Sequence, residues 1–296
     1  MTWPDLILGS AMWGWTVDRE RCFFLLDEFY GLGFRQVDTA TNYPIDGRAE
    51  HFRLAESWLL EWIGAHGIKD LQVIVKVGSV NNSGSPENLL NKSFLMINLD
   101  DYRYRFGSNL HTFSLHWDNR SAESEIRETL EVLAQAAGHD LRPGLSGIRH
   151  PEVYALLNGD FGLRFRIQCK HHVFQSGYEH YRALHGHDFI AYGTNAGGFK
   201  LDGRYRPDSS WQARGGRTPV AEAGQEALRA LLGGPIRQFF QLGLLFAAYH
   251  PAMTGILIGP SSSEQLAGNV AFYEQLKTTD FRSTYEALRA FHAQEH

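Results

Sequence analysis

The amino-acid sequence predicts a single-domain α/β protein folded as a (β/α)8 TIM barrel over residues 1–296. Short β-branched and aromatic runs, typical of buried strands, alternate with amphipathic helical patterns along the whole chain. Eight such units are the number that closes a barrel of parallel strands. An open doubly wound sheet is the alternative. However, the run after the first strand, Gly9-Ser10-Ala11-Met12-Trp13-Gly14, lacks the Gly-x-Gly-x-x-Gly spacing of a dinucleotide-binding turn.

Local patterns define the eight strands and the helices between them. Asp18 is a candidate N-cap of the first helix, and Gly31 with Gly33 ends that helix. Acidic residues after Ser121 favour the start of the fourth helix, and Ser261-Ser262-Ser263-Glu264 resembles a capping box before the last unit's helix. The predicted strands are 5–9, 34–38, 71–77, 110–116, 143–147, 164–169, 188–192 and 255–259. The predicted helices are 18–32, 48–65, 86–105, 121–137, 150–158, 176–185, 219–232 and 263–276, with two additional ones at 235–249 and 281–294.

Composition and charge exclude several classes of protein. The net charge of −5 without a basic block argues against nucleic-acid binding. The 14 histidines lack zinc-ligand spacing, so we expect no metal site. We expect no disulfide between Cys22 and Cys169, which is consistent with a reducing compartment. No signal peptide is visible, and the longest apolar run, 239–249, is too short to span a bilayer. We therefore expect a soluble cytoplasmic protein, either a monomer or a weak homo-oligomer.

Polar side chains end three successive predicted strands. Asp38 ends the second strand, Lys76 the third and His116 the fourth, and Tyr43 follows Asp38 by five residues. In a parallel barrel these strand ends meet at the rim that carries the chemistry. A tyrosine hydroxyl has a pKa of about 10, and a nearby ammonium, itself kept charged by a carboxylate, lowers that pKa. With an imidazole to polarise a carbonyl oxygen, the set predicts proton transfer to oxygen, and a cofactor must supply hydride.

The chain resembles the aldo-keto reductases at these positions. Asp38-Thr39-Ala40-Thr41-Asn42-Tyr43 matches the family's DxAxxY motif, and Lys76 and His116 complete its catalytic tetrad in the right order. The resemblance implies a (β/α)8 barrel that binds an extended nicotinamide dinucleotide. It also implies hydride transfer to a small-molecule carbonyl, with Tyr43 as proton donor, Lys76 and Asp38 tuning its acidity, and His116 orienting the substrate.

Further motifs of the same family concern the cofactor. Gly144-Leu145-Ser146 resembles the turn whose serine binds the nicotinamide carboxamide, and Gln168 stands where the family keeps a carboxamide-binding glutamine. Ala191-Tyr192 with the following glycines resembles the segment whose tyrosine stacks on nicotinamide, and 258–269 resembles the adenosine-phosphate segment. The cofactor-binding residues that the resemblance implies are Ser146, Gln168, Tyr192, Gly193, Asn195, Gly197, Gly259, Ser261, Gln265 and Asn269.

Some positions depart from the family pattern. Gly147 replaces the asparagine after the carboxamide-binding serine, Gly193-Thr194-Asn195 follows Tyr192, and Pro44-Ile45-Asp46-Gly47 follows the tetrad tyrosine. Gly259 and Gln265 stand where the family keeps basic residues for a 2′-phosphate. We expect NADP(H), with NAD(H) as an alternative. Serines, a helix N-terminus or basic residues of the long segment 193–217 could hold the 2′-phosphate. Those basic residues are Lys200, Arg204, Arg206 and Arg214.

Residues 193–217 are predicted to form a long loop over the cofactor and substrate site. Trp13, Trp15 and Trp117 are candidates for lining the substrate pocket. Two alternatives belong to other functional classes. The first is a non-catalytic regulatory relative that keeps the cofactor, although a binding protein has no need of the complete tetrad. The second is a metal-dependent barrel hydrolase that would use His116, His171 and Asp38, although no early strand carries a His-x-His pair.

Overall fold

The computed structural model describes residues 2–294, and its strands close into a barrel. Eight parallel strands pair in the ring β1-β2-β3-β4-β5-β6-β8-β9, and β9 pairs back onto β1. The short strand β7 forms an antiparallel hairpin with the end of β6. The strands are β1 Asp5–Gly9, β2 Gln36–Ala40, β3 Gln72–Val77, β4 Leu110–His116, β5 Arg142–Ser146, β6 Arg166–His172, β7 Gln175–Ser176, β8 Asp188–Tyr192 and β9 Met253–Ile258.

Helices surround the barrel and connect its strands. The helices are α1 Arg19–Gly31, α2 Leu54–His66, α3 Lys92–Phe106, α4 Glu123–Gly138, α5 Pro151–Asn158, α6 Ser210–Ala213, α7 Glu222–Ala230, α8 Phe239–Ala248, α9 Ser263–Thr278 and α10 Arg282–Gln294. This architecture confirms the predicted single-domain (β/α)8 TIM barrel and excludes the open doubly wound sheet. Within residues 2–294, no helix is both long enough and apolar enough to cross a membrane.

Two predicted helices begin later than the sequence pattern indicated. The predicted helix 48–65 is interrupted by Arg53, whose φ of 66° is left-handed, so that α2 starts only at Leu54 after a short 3-10 turn. The predicted helix 86–105 starts only at Lys92, because the Asn91 side chain accepts a hydrogen bond from the backbone of the first turn and caps it. In both cases local backbone chemistry overrides a continuous apolar pattern.

Three smaller differences concern the second half of the chain. The predicted helix 176–185 is a 3-10 helix, Glu179–Leu184, with non-helical dihedrals at Tyr181. The predicted helix 219–232 shortens to α7, and the predicted strand 164–169 is shifted toward the C-terminus, where β6 spans Arg166–His172. The helix predicted at 235–249 is α8, which begins with a reciprocal capping box between Gln238 and Gln241.

Alternate residues of each strand face the barrel interior, which is filled in layers. At the end where the strands begin, the Arg166 guanidinium donates to the Gln36 side-chain oxygen at 2.7 Å and to the Thr112 hydroxyl at 3.1 Å. Above this polar layer lies a small apolar plug with Tyr192 packed against it, and truncating a buried isoleucine there to alanine costs about 2–5 kcal/mol. The plug consists of Ile7, Ile74, Ile190 and Leu257. The next interior positions along the strands reach the opposite rim, where the candidate site lies.

Candidate active site

The four polar residues singled out in the sequence lie together at the carboxyl ends of the strands. Asp38 and Lys76 extend from β2 and β3 into the barrel, His116 ends β4, and Tyr43 follows β2 in the connecting loop. Their side-by-side strands are paired in register, with Ala40 opposite Lys76. Because i and i+2 residues of a strand point to the same face, Asp38 is turned inward with the rest of the set.

A buried ion pair forms the base of the site. The Lys76 ammonium donates a hydrogen bond to Asp38 Oδ2, and the Gln168 amide Nε2 donates to Asp38 Oδ1 at 2.5 Å. Lys76 is only 1% exposed and Asp38 3%. Burial lowers the pKa of Lys76, but the attraction of Asp38 and Tyr43 outweighs it, so the pKa of Lys76 lies above its ordinary value. The lysine therefore stays charged in a place where an unpaired ammonium would not.

Tyr43 lies against this ion pair. The Lys76 ammonium nitrogen is 4.8 Å from the centroid of the Tyr43 ring. Burial raises the pKa of Tyr43, and Lys76 opposes that shift without reversing it, so that the pKa remains above 10. Lys76 thus acts to lower the pKa of Tyr43, as expected, and desolvation by burial raises that pKa by more. The hydroxyl holds its proton throughout the neutral range.

His116 faces the tyrosine as a neutral imidazole. The two ring centroids are 5.9 Å apart with planes at 87°, an edge-to-face arrangement. Burial, followed by the positive charge of Lys76, holds the pKa of His116 well below its ordinary value. Its Nδ1 is buried without a hydrogen-bond partner among the described residues. An orphaned buried nitrogen beside a tyrosine suits a site whose remaining contact comes from a ligand.

The loop after β4 is built around Trp117. Its backbone has a φ of 60°, its N–H donates to the Ser146 carbonyl oxygen at 2.8 Å, and its own carbonyl accepts from the Asn88 amide at 2.9 Å. The indole covers Gly147, where an added Cβ would lie 2.5 Å from the ring. Trp117 thus occupies the room that the family's asparagine side chain would need at position 147.

Of the other two tryptophans, Trp13 is 1% exposed and belongs to the main hydrophobic core, and its indole N–H has no partner among residues 2–294. Trp15 is half-buried in the loop between β1 and α1. Of the three candidate tryptophans, only Trp15 and Trp117 therefore keep side-chain surface that a ligand could contact.

The residues that the resemblance links to a cofactor lie on the other half of the rim. Ser146 ends β5, Gln168 extends from β6, and Tyr192 ends β8. The Gln168 amide nitrogen donates a hydrogen bond to Asp38, which leaves the amide oxygen of Gln168 as an acceptor for a carboxamide. Gly193 and Gly197 have φ values of 69° and 78°, which glycine adopts without strain.

The polar residues of that segment hold one another. The Asn195 side chain accepts from the Gly198 N–H at 3.1 Å. At the exposed N-terminus of α9, Gln265 Oε1 accepts from the Ser261 N–H at 2.9 Å, and the Asn269 side chain donates to the Gln265 carbonyl at 2.7 Å. Gly259, just before this turn, has open space where a side chain would be. The hydroxyls at the exposed N-terminus of α9 can donate hydrogen bonds to the phosphates of a nicotinamide dinucleotide. The Gln168 oxygen can accept a hydrogen bond from its carboxamide.

The structure separates His171 from this site. His171 lies on the outer face of β6, where its ring stacks on Phe246 of α8 at 4.7 Å and meets His250 at 4.9 Å. It therefore cannot share a ligand with Asp38 and His116, as a hydrolase would require. Among residues 2–294, no group of three or more histidine, cysteine, aspartate or glutamate side chains is arranged to hold a metal ion.

One structural element of the site was not predicted from the sequence. The buried Asp118 carboxylate accepts a hydrogen bond from the Tyr154 hydroxyl at 2.5 Å. It also accepts from two guanidinium nitrogens and the backbone N–H of Arg120, each at 2.9 Å. This network holds in place the loop that follows β4 and so positions His116 and Trp117. The only hint in the sequence was an acidic residue two positions after His116, which by itself distinguishes nothing.

Comparison with known proteins decides the family. The sequence model of the Aldo/keto reductase family matches residues 5–289. This chain belongs to that family. It is therefore an oxidoreductase of the aldo-keto reductase type, which works with a nicotinamide cofactor.

Individual relatives are more distant. A putative aryl-alcohol dehydrogenase of Saccharomyces cerevisiae is 28% identical over 145 residues, which cover 46% of this chain and 62% of that protein. Norsolorinic acid reductase of Emericella nidulans is 27% identical over 157 residues, 48% of this chain and 38% of that protein. The chain thus matches less than two thirds of either curated relative. An aldo-keto reductase of Bacillus halodurans, solved in its holo form, superposes with a TM-score of 0.72 at 19% identity, covering 97% of this chain and 91% of that one, which establishes the fold.

Proposed function

We propose that this protein reduces an aldehyde or ketone to an alcohol with NADPH, or catalyses the reverse oxidation, and that Tyr43 donates the proton. The observation that carries the proposal is the contact of Tyr43 with a charged, buried Lys76 on one side and a neutral His116 on the other. A dihydronicotinamide held at the rim would supply the hydride to the carbonyl carbon. The Tyr43 proton passes to the carbonyl oxygen, so the two-electron reduction is balanced.

Each remaining member of the tetrad has a defined task in this proposal. Lys76 stabilises the phenolate that forms as the proton leaves, an interaction that is stronger in the transition state than before it. Asp38 keeps Lys76 charged, and Gln168 holds Asp38 in place. His116 remains uncharged, so it can donate a hydrogen bond to the carbonyl oxygen without competing with Tyr43 as an acid.

For the cofactor we propose binding along the half of the rim formed by β5, β6, β8 and the start of α9. Ser146 and Gln168 would hold the carboxamide, Tyr192 would stack on the nicotinamide, and Ser261 with the α9 N-terminus would face the phosphates. NADP(H) is proposed on the family resemblance, with NAD(H) as the alternative because Gly259 and Gln265 carry no charge. Residues 193–217 would cover the site, and Trp15 and Trp117 would line the substrate end.

The relatives favour aromatic carbonyl compounds as first substrates to test, since one is a putative aryl-alcohol dehydrogenase and another is a norsolorinic acid reductase. We further propose that the protein is cytoplasmic and works as a monomer or weak homo-oligomer on small molecules rather than on nucleic acid, in line with its net charge of −5. Size-exclusion chromatography with light scattering tests the oligomeric state.

The test of the function is NADPH oxidation in the presence of para-nitrobenzaldehyde. Tyr43→Phe keeps the ring and removes the proton donor, so turnover should fall by about 10²–10⁴-fold while NADPH still quenches tryptophan fluorescence. Tyr285→Phe is the matched control, because this tyrosine lies on α10 and its ring contacts the rings of Phe246 and Tyr249. A wild-type protein that binds NADPH but reduces no aldehyde would favour the non-catalytic regulatory relative. A Tyr43→Phe variant with nearly full activity would overturn the assigned role.

A further inference from the structure

Arg214 is a cation at the mouth of the site that has no anionic partner. Within residues 2–294 its guanidinium forms no salt bridge, and its recorded side-chain hydrogen bond goes to the Met12 sulfur at 3.0 Å. A thioether is a weak acceptor that leaves most of the five guanidinium donors without a partner. Arg206 of the same segment behaves differently, because it forms a bidentate pair with Asp208 at 2.8 and 3.0 Å.

The position of Arg214 is fixed by the packing of its own segment. It follows the four-residue helix α6, in which Trp211 is 8% exposed. The Trp211 ring stacks on Tyr205 with a 5.0 Å centroid distance and an 8° interplanar angle. Gly216 presses against the same indole so closely that no side chain fits there. Contacts with Tyr205 and Gly216 therefore fix Trp211, which lies three residues before Arg214, and limit the positions that the Arg214 backbone can take.

Contacts place this guanidinium on the substrate half of the rim. Met12 lies two residues after Ser10, whose N–H donates to the Asp38 carbonyl oxygen at 3.0 Å. The same loop passes Pro44, since a Cβ added to Gly14 would lie 3.4 Å from the Pro44 ring. Pro44 directly follows Tyr43. Ser146 and Gln168, which are proposed for the carboxamide of the cofactor, come instead from β5 and β6, on the other side of the ring of strands from β1.

The electrostatics of the pair agree with this placement. The charge of Arg214 acts to lower the pKa of Tyr43, and Tyr43 in turn acts to raise the pKa of Arg214. Surrounding protein atoms nevertheless lower the pKa of Arg214 by desolvation, although the residue keeps a large accessible surface.

The site therefore has a surplus of positive charge. Lys76 and Asp38 offset each other, His116 is neutral, and Tyr43 keeps its proton. Arg214 adds one positive charge that no described carboxylate balances. A ligand with a negative group beside its carbonyl would balance the charge of Arg214 and accept its unused hydrogen bonds.

We propose that Arg214 binds a carboxylate on the carbonyl substrate, so that the substrates are small oxo-acids or aromatic aldehydes that carry a carboxylate. This inference rests on the carbonyl reduction proposed above and specifies its substrate class. Arg214 acts as a specificity-determining residue: its planar fork takes both carboxylate oxygens and thereby turns the carbonyl toward Tyr43 and His116. Arginine fits this geometry better than lysine, whose ammonium is a point charge.

The experiment compares para-carboxybenzaldehyde with para-nitrobenzaldehyde, two activated aldehydes of similar size that differ in charge. Arg214→Gln should lower the ratio of kcat/KM for the carboxylate over the nitro substrate by about tenfold or more, mainly through a higher KM for the carboxylate. Arg214→Lys should give an intermediate ratio. Arg217→Gln removes one exposed charge from the same segment and should leave the ratio unchanged.

Three outcomes would overturn the proposal: an unchanged ratio in Arg214→Gln, an equal loss for both aldehydes, or a weaker Kd for NADPH with the ratio preserved. The last outcome would make Arg214 an anchor for a cofactor phosphate. Benzoate binding, followed by tryptophan fluorescence, separates this proposal from the function itself. If neither aldehyde is reduced but benzoate binds the wild type and not Arg214→Gln, the anion site stands and the reductase function fails.

Discussion

Replacing Lys76 by methionine tests the electrostatic core of the proposed mechanism. Methionine keeps the length and packing of the side chain and removes its charge. With the ammonium 4.8 Å from the Tyr43 ring and an effective dielectric constant near 20, the lost attraction for a phenolate is about 3.5 kcal/mol, or about 2.5 pKa units. If this attraction acts fully in the transition state, kcat falls by about 300-fold.

The same substitution removes the partner of a buried carboxylate. Breaking a buried pair in this way costs about 3–5 kcal/mol of stability, reduced by the hydrogen bond that Gln168 still donates to Asp38. The double variant Lys76→Met with Asp38→Asn removes both charges of this pair and should regain much of that stability while turnover remains low. This pair of variants separates loss of catalysis from loss of folding.

The assay is kcat as a function of pH with a saturating neutral aldehyde, together with thermal unfolding. In the reduction direction activity requires a protonated Tyr43, so it falls as pH rises through the pKa of the tyrosine, and removing Lys76 raises that pKa further. The falling limb should therefore move to higher pH in a variant whose plateau is much lower. A folded Lys76→Met protein with kcat near the wild-type value, or with an unshifted profile, would refute the reasoning.

Other predictions concern packing and acid stability. Gly147→Asn forces a side chain into the Trp117 indole and should lower the free energy of unfolding by about 1–3 kcal/mol, and adding Trp117→Ala should restore part of it in chemical denaturation. His171 is buried and neutral with a pKa of about 3, so its unfolded form binds more protons below pH 6.5 and stability is lost as pH falls from there. His171→Phe should remove about 3 kcal/mol of that loss at pH 4, seen as a flatter dependence of the unfolding midpoint on pH. An unchanged acid transition would mean that His250, with a pKa of about 4, dominates instead.

The strands and the tetrad were predictable because the information is local. A run such as Val73-Ile74-Val75-Lys76 contains both the buried pattern and the polar end, and parallel pairing then brings neighbouring strand ends together. The order Asp38, Lys76, His116 along the chain already implied their proximity at one rim. The starts of α2 and α3 were harder to predict, since Arg53 and Asn91 act through single backbone conformations inside apolar patterns.

The environment of Arg214 could not be predicted from local sequence. Four basic residues of its segment were equivalent candidates for anion binding in the sequence. What distinguishes Arg214 from the others is the stack of Trp211 on Tyr205 and the contact with Met12, about 200 positions away. The net direction of the Tyr43 pKa shift could not be predicted for a similar reason. The sequence shows that a lysine is near, but the extent of desolvation follows only from the packed rim.

The double hydrogen bonding of Asp38 ties side chains of β2, β3 and β6 together across the barrel interior. Buried ion pairs of this kind can often be exchanged for well-packed apolar residues with a gain of about 1–4 kcal/mol in stability. Selection for thermal robustness alone would therefore tend to erase this cross-brace, and the proposed chemistry with it. A related barrel that is more stable but catalytically inactive should be recognisable by aliphatic residues at the positions equivalent to 38 and 76.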